Sequence, residues 1–497
     1  MNQARKLLWM ATAVFALAAV FTSCIEDDFT TSPSDRLAFS TDTVAFDTVI
    51  TLQGTATKQM VVYNHSNKQI NISSIKVAGL SDKGHFHLNV DGVRGDEFQN
   101  VEIRGNDSIF IFIEAYLDEM ERNEPTLLED KLEFVTNGVA QYVKLTAWGQ
   151  DVVRINGDTI RRNTRFTADK PYLIYGTMFV SERATLTIDA GATLLFHDKA
   201  MMRCAGRVLA NGTAEAPITF RGDRLDRIVG EISFDIMSGQ WGGVVFTRRT
   251  TGNVLKHVIM KGSTYGMNCT NADGDTTQCA LKLINCVLTN SAGTCLATDS
   301  CYVEAIGTEF SDAAQEVVWF EGGKVMMSHC TFANNYLFVV PKLPIVNVFD
   351  LEYFNGDIYK IRARFDNCIL YGLSDDFNAG IRKDNVSNDT VYRVYSEVTE
   401  GKLDVYLRYC LLKGSERENG AHFINCMWEG DPCFLTVRDD YIFDYRLGNE
   451  SDAIGKGNPD LCPVEGRYDR YGNDRFVRGS IDLGAYVWMY IPDENDQ

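Results

Sequence analysis

The chain has 497 residues, 45% of them hydrophobic, and a formal net charge of −19. That length and apolar content suffice for large cores and more than one domain. The acidic balance excludes a surface built to hold nucleic acid or anionic lipid headgroups, so neither is an expected partner, and solubility accounts for the charge.

The N-terminus carries Arg5 and Lys6, an apolar run from Leu7 to Phe21, and then Thr22-Ser23-Cys24. Charged, apolar and small-residue segments in that order form a secretory signal, and the run is shorter than the ~20 residues of a spanning helix. Phe21-Thr22-Ser23-Cys24 resembles a bacterial lipobox, in which signal peptidase II cleaves before the cysteine and the thiol is diacylated. The resemblance implies a signal peptide over residues 1–23 and a lipid anchor on Cys24, each buried acyl methylene contributing ~0.8 kcal/mol to membrane retention. Ile25 stands where Asp marks inner-membrane retention, and Ile25-Glu26-Asp27-Asp28 is similar to the acidic export tags of Gram-negative surface lipoproteins. An outer-membrane protein facing outward is the expectation that follows. Residues 24–36 are polar, acidic and without periodicity, which predicts a flexible tether.

From Leu37 to Val153 short alternating runs take over, such as Gln59-Met60-Val61-Val62-Tyr63 and Ser108-Ile109-Phe110-Ile111-Phe112-Ile113. Turn clusters including Asn64-His65-Ser66-Asn67 separate them, a pattern that predicts a small antiparallel, immunoglobulin-like β-sandwich. His85 and His87 would share one face of a strand, either as a metal pair lacking a third ligand or as ordinary surface histidines.

Beyond Arg154 an internal repeat emerges. Seven segments align: Lys256-His257-Val258-Ile259, Asn285-Cys286-Val287-Leu288, Gly307-Thr308-Glu309-Phe310, His329-Cys330-Thr331-Phe332, Asn367-Cys368-Ile369-Leu370, Tyr409-Cys410-Leu411-Leu412 and Asn425-Cys426-Met427-Trp428. The second position is usually Cys, and two residues later a large apolar side chain stands on the same strand face. A second apolar series, Val254, Leu283, Ala305, Met327, Phe365, Leu407 and Phe423, lies three residues before the second position and is one residue out of phase with the first. A phase slip repeated at one place predicts a bend. Strand, bend and strand at this spacing describe one coil of a parallel β-helix, with like residues stacked inside. The longer steps from Cys330 to Cys368 and from Cys368 to Cys410 fit either one coil with an insertion or two coils. Twelve cysteines remain besides Cys24, and their ladder positions predict buried, reduced thiols rather than a disulfide framework.

The flanking motifs carry a further resemblance. Leu186 to Phe196, Gly206 to Thr213, Ala216 to Phe220 and Trp241 to Phe246 look like the opening coils of pectin-lyase-like right-handed parallel β-helix proteins. Ser451 to Pro459, Asp469 to Arg475 and Gly479 to Tyr486 resemble their C-terminal cap, although Val487 replaces the usual acidic residue. The resemblance implies an all-β chain with a right-handed parallel β-helix with cap over residues 154–490, after a sandwich over residues 37–153 and before a tail over residues 491–497. Its motifs are structural, so they bear on fold far more than on activity.

Chemistry is harder to place. The Trp-x-Asp-His and Arg-x-Pro-x-x-Arg motifs of pectate-lyase-type enzymes are missing, as are the Asn-Thr-Asp, Gly-His-Gly and Arg-Ile-Lys signatures of polygalacturonase-type hydrolases, so the catalytic residues are unknown. Asn271, Asp273 and Asp275 alternate as in a Ca²⁺ loop, but Thr276 and Lys282 replace its Gly and Glu, and a solvated turn is the competing reading. Apart from Ca²⁺ there, no cofactor or metal is expected. Asp375-Asp376 and Asp439-Asp440 are acidic pairs in loop settings, and His257 and His329 lack a recognisable acid or nucleophile partner. Two insertions, residues 341–362 and 373–402, gather aromatic, Arg and Asp residues. Tyr353, Tyr359, Asp375, Asp376, Arg382, Tyr392 and Tyr395 are the ligand-binding candidates, since rings stack on sugar faces and planar polar groups bind hydroxyls; packing of the loops is the alternative. The expected function is a monomeric, surface-anchored lipoprotein whose β-helix binds glycan or another surface component without catalysis. The alternatives are a polysaccharide lyase or glycoside hydrolase, and a protein-binding adhesin or structural component.

Overall fold

The alternating runs of the N-terminal third do form strands, and in the computed structural model every other side chain along them is buried. The structure describes residues 28–79, 85–229, 232–247, 250–271, 274–352, 357–383, 403–414 and 420–492. Two compact units, residues 1–150 and 151–497, divide the chain. Among the described residues there is no α-helix, and no helix is long and apolar enough to cross a membrane.

The first unit has a five-stranded sheet, in spatial order Leu37–Phe39, Lys58–Asn64, Asp107–Tyr116, His85–Val90 and Val93–Gly95. A six-stranded sheet is built on Thr43–Ile50, Val139–Gln150, Thr126–Thr136 and Ile70–Val77. Met60, Val62, Ile111 and Ile113 of the former share one buried core with Ile72, Leu132, Phe134 and Leu145 of the latter. Pairing between its strands is antiparallel except where Thr43–Ile50 runs parallel to Val139–Gln150, and Phe29 bridges Gln69 in parallel. Alternation reports which face is buried but not the direction of the partner strand, so this exception left no mark in the sequence. The expected tether is ordered where it is described: Thr30 donates its N–H to the Gln69 carbonyl at 2.9 Å, and Asp28 pairs with Lys68. Edge-strand hydrogen bonding needs no apolar period, which is why composition suggested a loose segment.

The second unit begins with the strand Val153–Asn156 and contains three long parallel sheets of eleven, ten and ten strands. Each sheet takes every third strand or so in chain order, as in a β-solenoid. One winding runs Val287–Ser291 in the first sheet, Leu296–Asp299 in the second and Tyr302–Ile306 in the third, and Glu309–Ala313 then returns to the first. Thr331–Asn334 pairs directly with Ile369–Gly372, which pairs directly with Leu411–Leu412. The two long steps are therefore single windings that carry insertions.

The repeated phase slip is a left-handed residue. His257, Asn285, Gly307, His329, Asn367, Tyr409 and Asn425 all have φ between 47° and 57°. That conformation costs an ordinary L-residue roughly 1–2 kcal/mol and costs Gly or Asn less, in keeping with four of these seven positions. The same column corrects the first repeat by one residue. Ile259 pairs with Val287, and Met260 with Leu288, so His257 matches Asn285 at the bend and Val258 stands on the cysteine column. Leu255, not Val254, is the inward partner of Leu283. Val258, Ile259 and Met260 are all apolar, so hydropathy alone could not choose between the registers.

Inside the stack, Leu288, Phe310, Phe332, Leu370, Leu412 and Trp428 form one column. The Phe310 and Phe332 rings stack 5.2 Å apart. All twelve cysteines of the second unit are free and nine are buried; burial pushes the Cys286 thiol up to about 12.

The segment from Ser451 to Tyr486, likened above to a C-terminal cap, contacts the stack from its flank. It packs along the side of the stack, over the bend column and the outer face of the first sheet. Asn367 donates to the Asn458 carbonyl at 3.0 Å, Asn285 donates to the Tyr468 carbonyl at 3.1 Å, and the Ala485 N–H reaches Thr331 Oγ1 at 2.9 Å. Arg475, wholly buried, fastens the segment to itself through the carbonyls of Gly466, Gly484 and Ala485. His329 belongs to this seam: Asn367 donates to its Nε2, and burial together with Arg475 holds its pKa well below the ordinary histidine value. His257 is also shifted down, by burial and by Arg470.

Candidate functional site

The returning C-terminal segment leaves a cavity of 390 Å³ against the outer face of the first sheet. Its floor is Val287, Thr289 and Glu309 from neighbouring strands, with Asn290 and Asp312 where those strands end in left-handed bends. Its walls are Tyr336 and the run Tyr441 to Tyr445, with Arg470, Tyr471 and Tyr486.

Two carboxyl groups on this floor are buried. Asp312 Oδ1 accepts the Tyr445 hydroxyl at 2.6 Å and the Asn335 N–H at 3.0 Å. Burial pushes its pKa up to about 7 against the pull of those bonds. Glu309 accepts the Ser311 hydroxyl at 2.6 Å and the Tyr486 hydroxyl, and burial again raises it. Asp444, also on the wall, differs: burial works against ionisation, but Arg446 at 2.6 Å holds its carboxyl below the usual range. Burial thus makes Asp312 the weaker acid of the cavity and Arg446 makes Asp444 the stronger, the kind of separation that acid–base chemistry requires.

Two rings stand at the rim, Tyr441 at 46% and Tyr471 at 51% exposure. Tyr441 is held at φ 63° and Arg438 at φ 69°, a strained pair in one short turn. Arg438 ties that turn down by donating to the carbonyls of Asn335 and Tyr336. The rim aromatics are therefore placed by backbone fixed to the stack.

Of the ligand-binding candidates named from the sequence, Tyr359, Asp375, Asp376 and Arg382 lie outside this cavity. Cys24, Tyr353, Tyr392 and Tyr395 fall outside the described residues, as does Asp273. Tyr359 and Arg382 flank Leu351 from two strands. Arg382 is engaged by Glu321 and lies over the Trp319 ring at 5.4 Å, while the Tyr359 ring packs on Gly274. Asp375 and Asp376 sit at the other end of that sheet strand, where the buried Asp376 accepts the Gly414 N–H at 3.0 Å. Tyr359 and Arg382 thus sit apart from Asp375 and Asp376.

Asn271 donates to the Asp275 carbonyl at 2.8 Å, and Asp275 caps the Thr277 N–H, so these two residues of the candidate Ca²⁺ loop bond within their own turn. His87 faces Asp96 at 3.3 Å. Among the described residues no three His, Cys, Asp or Glu side chains are placed to hold a metal ion. One clue to the cavity was present in the repeat: Glu309 occupies a strand position that most other repeats fill with an apolar residue.

No protein-family model matches the chain, and no curated protein matches it. Among solved structures it is similar to the periplasmic chaperone SfaE, at 11% identity and a TM-score of 0.15, over 23% of this chain and 57% of that one. It is also similar to a family 123 glycoside hydrolase from Clostridium perfringens, at 7% identity and a TM-score of 0.18, over 27% of this chain and 30% of that one. The matched part spans less than two thirds of either neighbour.

Proposed function

We propose that this protein is a lipoprotein of the outer membrane, anchored through Cys24 and facing outward, that binds a glycan on a right-handed parallel β-helix preceded by an immunoglobulin-like sandwich. One observation carries the binding reading: exposed Tyr441 and Tyr471 rings border a 390 Å³ cavity with a polar, carboxyl-bearing floor. Apolar ring faces beside a few fixed polar groups are what a sugar needs for stacking and hydroxyl recognition. The left-handed bend column and the three stacked sheets are what support the β-helix.

Residues 25–497 run through gels containing plant, host and bacterial polysaccharides should be retarded by at least one of them. Tyr441→Ala and Tyr471→Ala should each remove most of that retardation; retention unchanged in both variants overturns the assignment to this cavity. For the anchor, Cys24→Ala should shift the full chain from the membrane to the soluble fraction, and protease added to intact cells should digest the wild type. Membrane partition unchanged by Cys24→Ala refutes lipidation.

A hydrolytic reading has its own support in the same cavity, where burial raises Asp312 and Arg446 lowers Asp444. New reducing ends that vanish in Asp312→Asn would establish it, and binding without cleavage would discard it.

A further inference from the structure

On the third sheet a second concavity departs from the acidic character of the chain. An outward column of that sheet runs Tyr302, Lys324, Arg362 and Asp404 over successive strands. Lys324, Arg362 and Asp404 line a depression of 630 Å³, which Lys360, Tyr406 and His422 complete. Three cations thus line it with one carboxylate, Asp404, and a second, Asp350, stands behind Lys360, in a chain of net charge −19.

The carboxylate does not use up the cations. Asp404 is shared by Arg362 at 2.9 Å and Arg364 at 2.6 Å, and Arg364 is further committed to the face of Tyr406. Arg362 contributes its Nε to Asp404, so its terminal nitrogens, with four N–H donors, remain for a ligand. Lys324 stands 4.0 Å over the Tyr302 ring, and among the described residues it has no ion-pair partner. Lys360 approaches from the turn before Ile361–Asp366, braced at 2.6 Å by the buried Asp350.

We infer that this depression is an anion subsite that takes a tetrahedral oxyanion, a sulfate or phosphate ester carried on a sugar chain, through Lys324, Lys360 and the free edge of Arg362. Three cations converging from two chain segments match the three outer oxygens of such a group, whereas a carboxylate offers two oxygens in one plane. Neighbouring rungs lie ~4.8 Å apart, which places Lys324 and Arg362 within reach of a single substituent. The site lies on a different sheet from the tyrosine cavity and its anion binding stands without it; that the ester is carried on a sugar chain rests on the glycan-binding reading.

Calorimetric titration of residues 25–497 with dextran sulfate, compared with unsubstituted dextran, tests it. Dextran sulfate should bind, dextran should not, and the affinity should fall as salt is raised. Lys324→Gln and Arg362→Gln should each weaken dextran sulfate at least tenfold with unchanged near-ultraviolet circular dichroism, while Tyr471→Ala should leave it intact. Competition by inorganic sulfate and inorganic phosphate then assigns the ester, the stronger competitor naming the source. Affinity unchanged in both cationic variants overturns the inference, and so does carboxymethyl dextran competing better than either inorganic ion.

Discussion

Replacing Asp312 with Asn isolates the energetic consequence of burying a carboxyl group on the cavity floor. Both hydrogen bonds it accepts, from Tyr445 and from the Asn335 N–H, end on Oδ1, so an Asn carbonyl can keep them while its amide takes the place of the protonated Oδ2. Asn also suits the left-handed backbone at this position, φ 55°, which Asn290 adopts one winding earlier. The folded-state pKa is raised from 3.8 to about 7. The folded chain therefore holds this proton more tightly than the unfolded chain does. Stability from the group is complete below about pH 4 and is lost as pH rises towards 7. At 1.36 kcal/mol per pH unit, the loss for a fully buried group is about 4 kcal/mol. Urea unfolding of the wild type and Asp312→Asn at intervals from pH 4 to pH 8 measures it, because contributions from all other groups cancel in the difference. The variant should match the wild type at pH 4 and exceed it increasingly towards pH 8. A difference that stays flat over this range would refute the claim that folding raises the pKa of Asp312.

Phe332→Ala removes a fully buried ring from the internal column and should cost about 3–5 kcal/mol, read as a lower urea midpoint; a loss under 1 kcal/mol would contradict the stacking described. In residues 25–497 under native conditions a thiol reagent should modify only the half-buried Cys279, Cys433 and Cys462, and after denaturation all twelve cysteines. Fewer than twelve reacting after denaturation without reductant would mean that rungs of the ladder had paired. Arg475→Met strips hydrogen bonds from the carbonyls of Gly466, Gly484 and Ala485, each unpaired group costing roughly 1–3 kcal/mol. Limited proteolysis should then cut the 455–490 segment sooner than in the wild type, and an unchanged digestion pattern would show that Arg475 does not fasten it.

Much of the architecture could be read from residue order. The alternation of Ile109, Ile111 and Ile113 assigns one face of a strand to a core, and the steps from Cys286 to Thr308 to Cys330 set the length of a winding. Both are local or periodic properties, carried by side-chain hydropathy and by the stacking of like residues. The bend was legible as a phase slip, and Asn and Gly at that position gave its chemical reason. What periodicity could not provide was the register of the first repeat, because a run of apolar residues fits two alignments equally well.

The cavity was decided at a different level. Tyr441, Arg470, Tyr471 and Tyr486 are far from Glu309 and Asp312 in sequence, and they meet only because the C-terminal segment folds back over the first sheet. The contacts that direct its return, Asn285 to Tyr468 and Asn367 to Asn458, join side chains to backbone carbonyls. A carbonyl acceptor is present in every residue, so such pairings have no signature in sequence. The pKa of Asp312 likewise depends on burial created by that distant cover. Repetition along the chain therefore determined the stack by itself, whereas the tertiary return of a non-repeating segment decided where the carboxyls, the rings and the enclosed space came together.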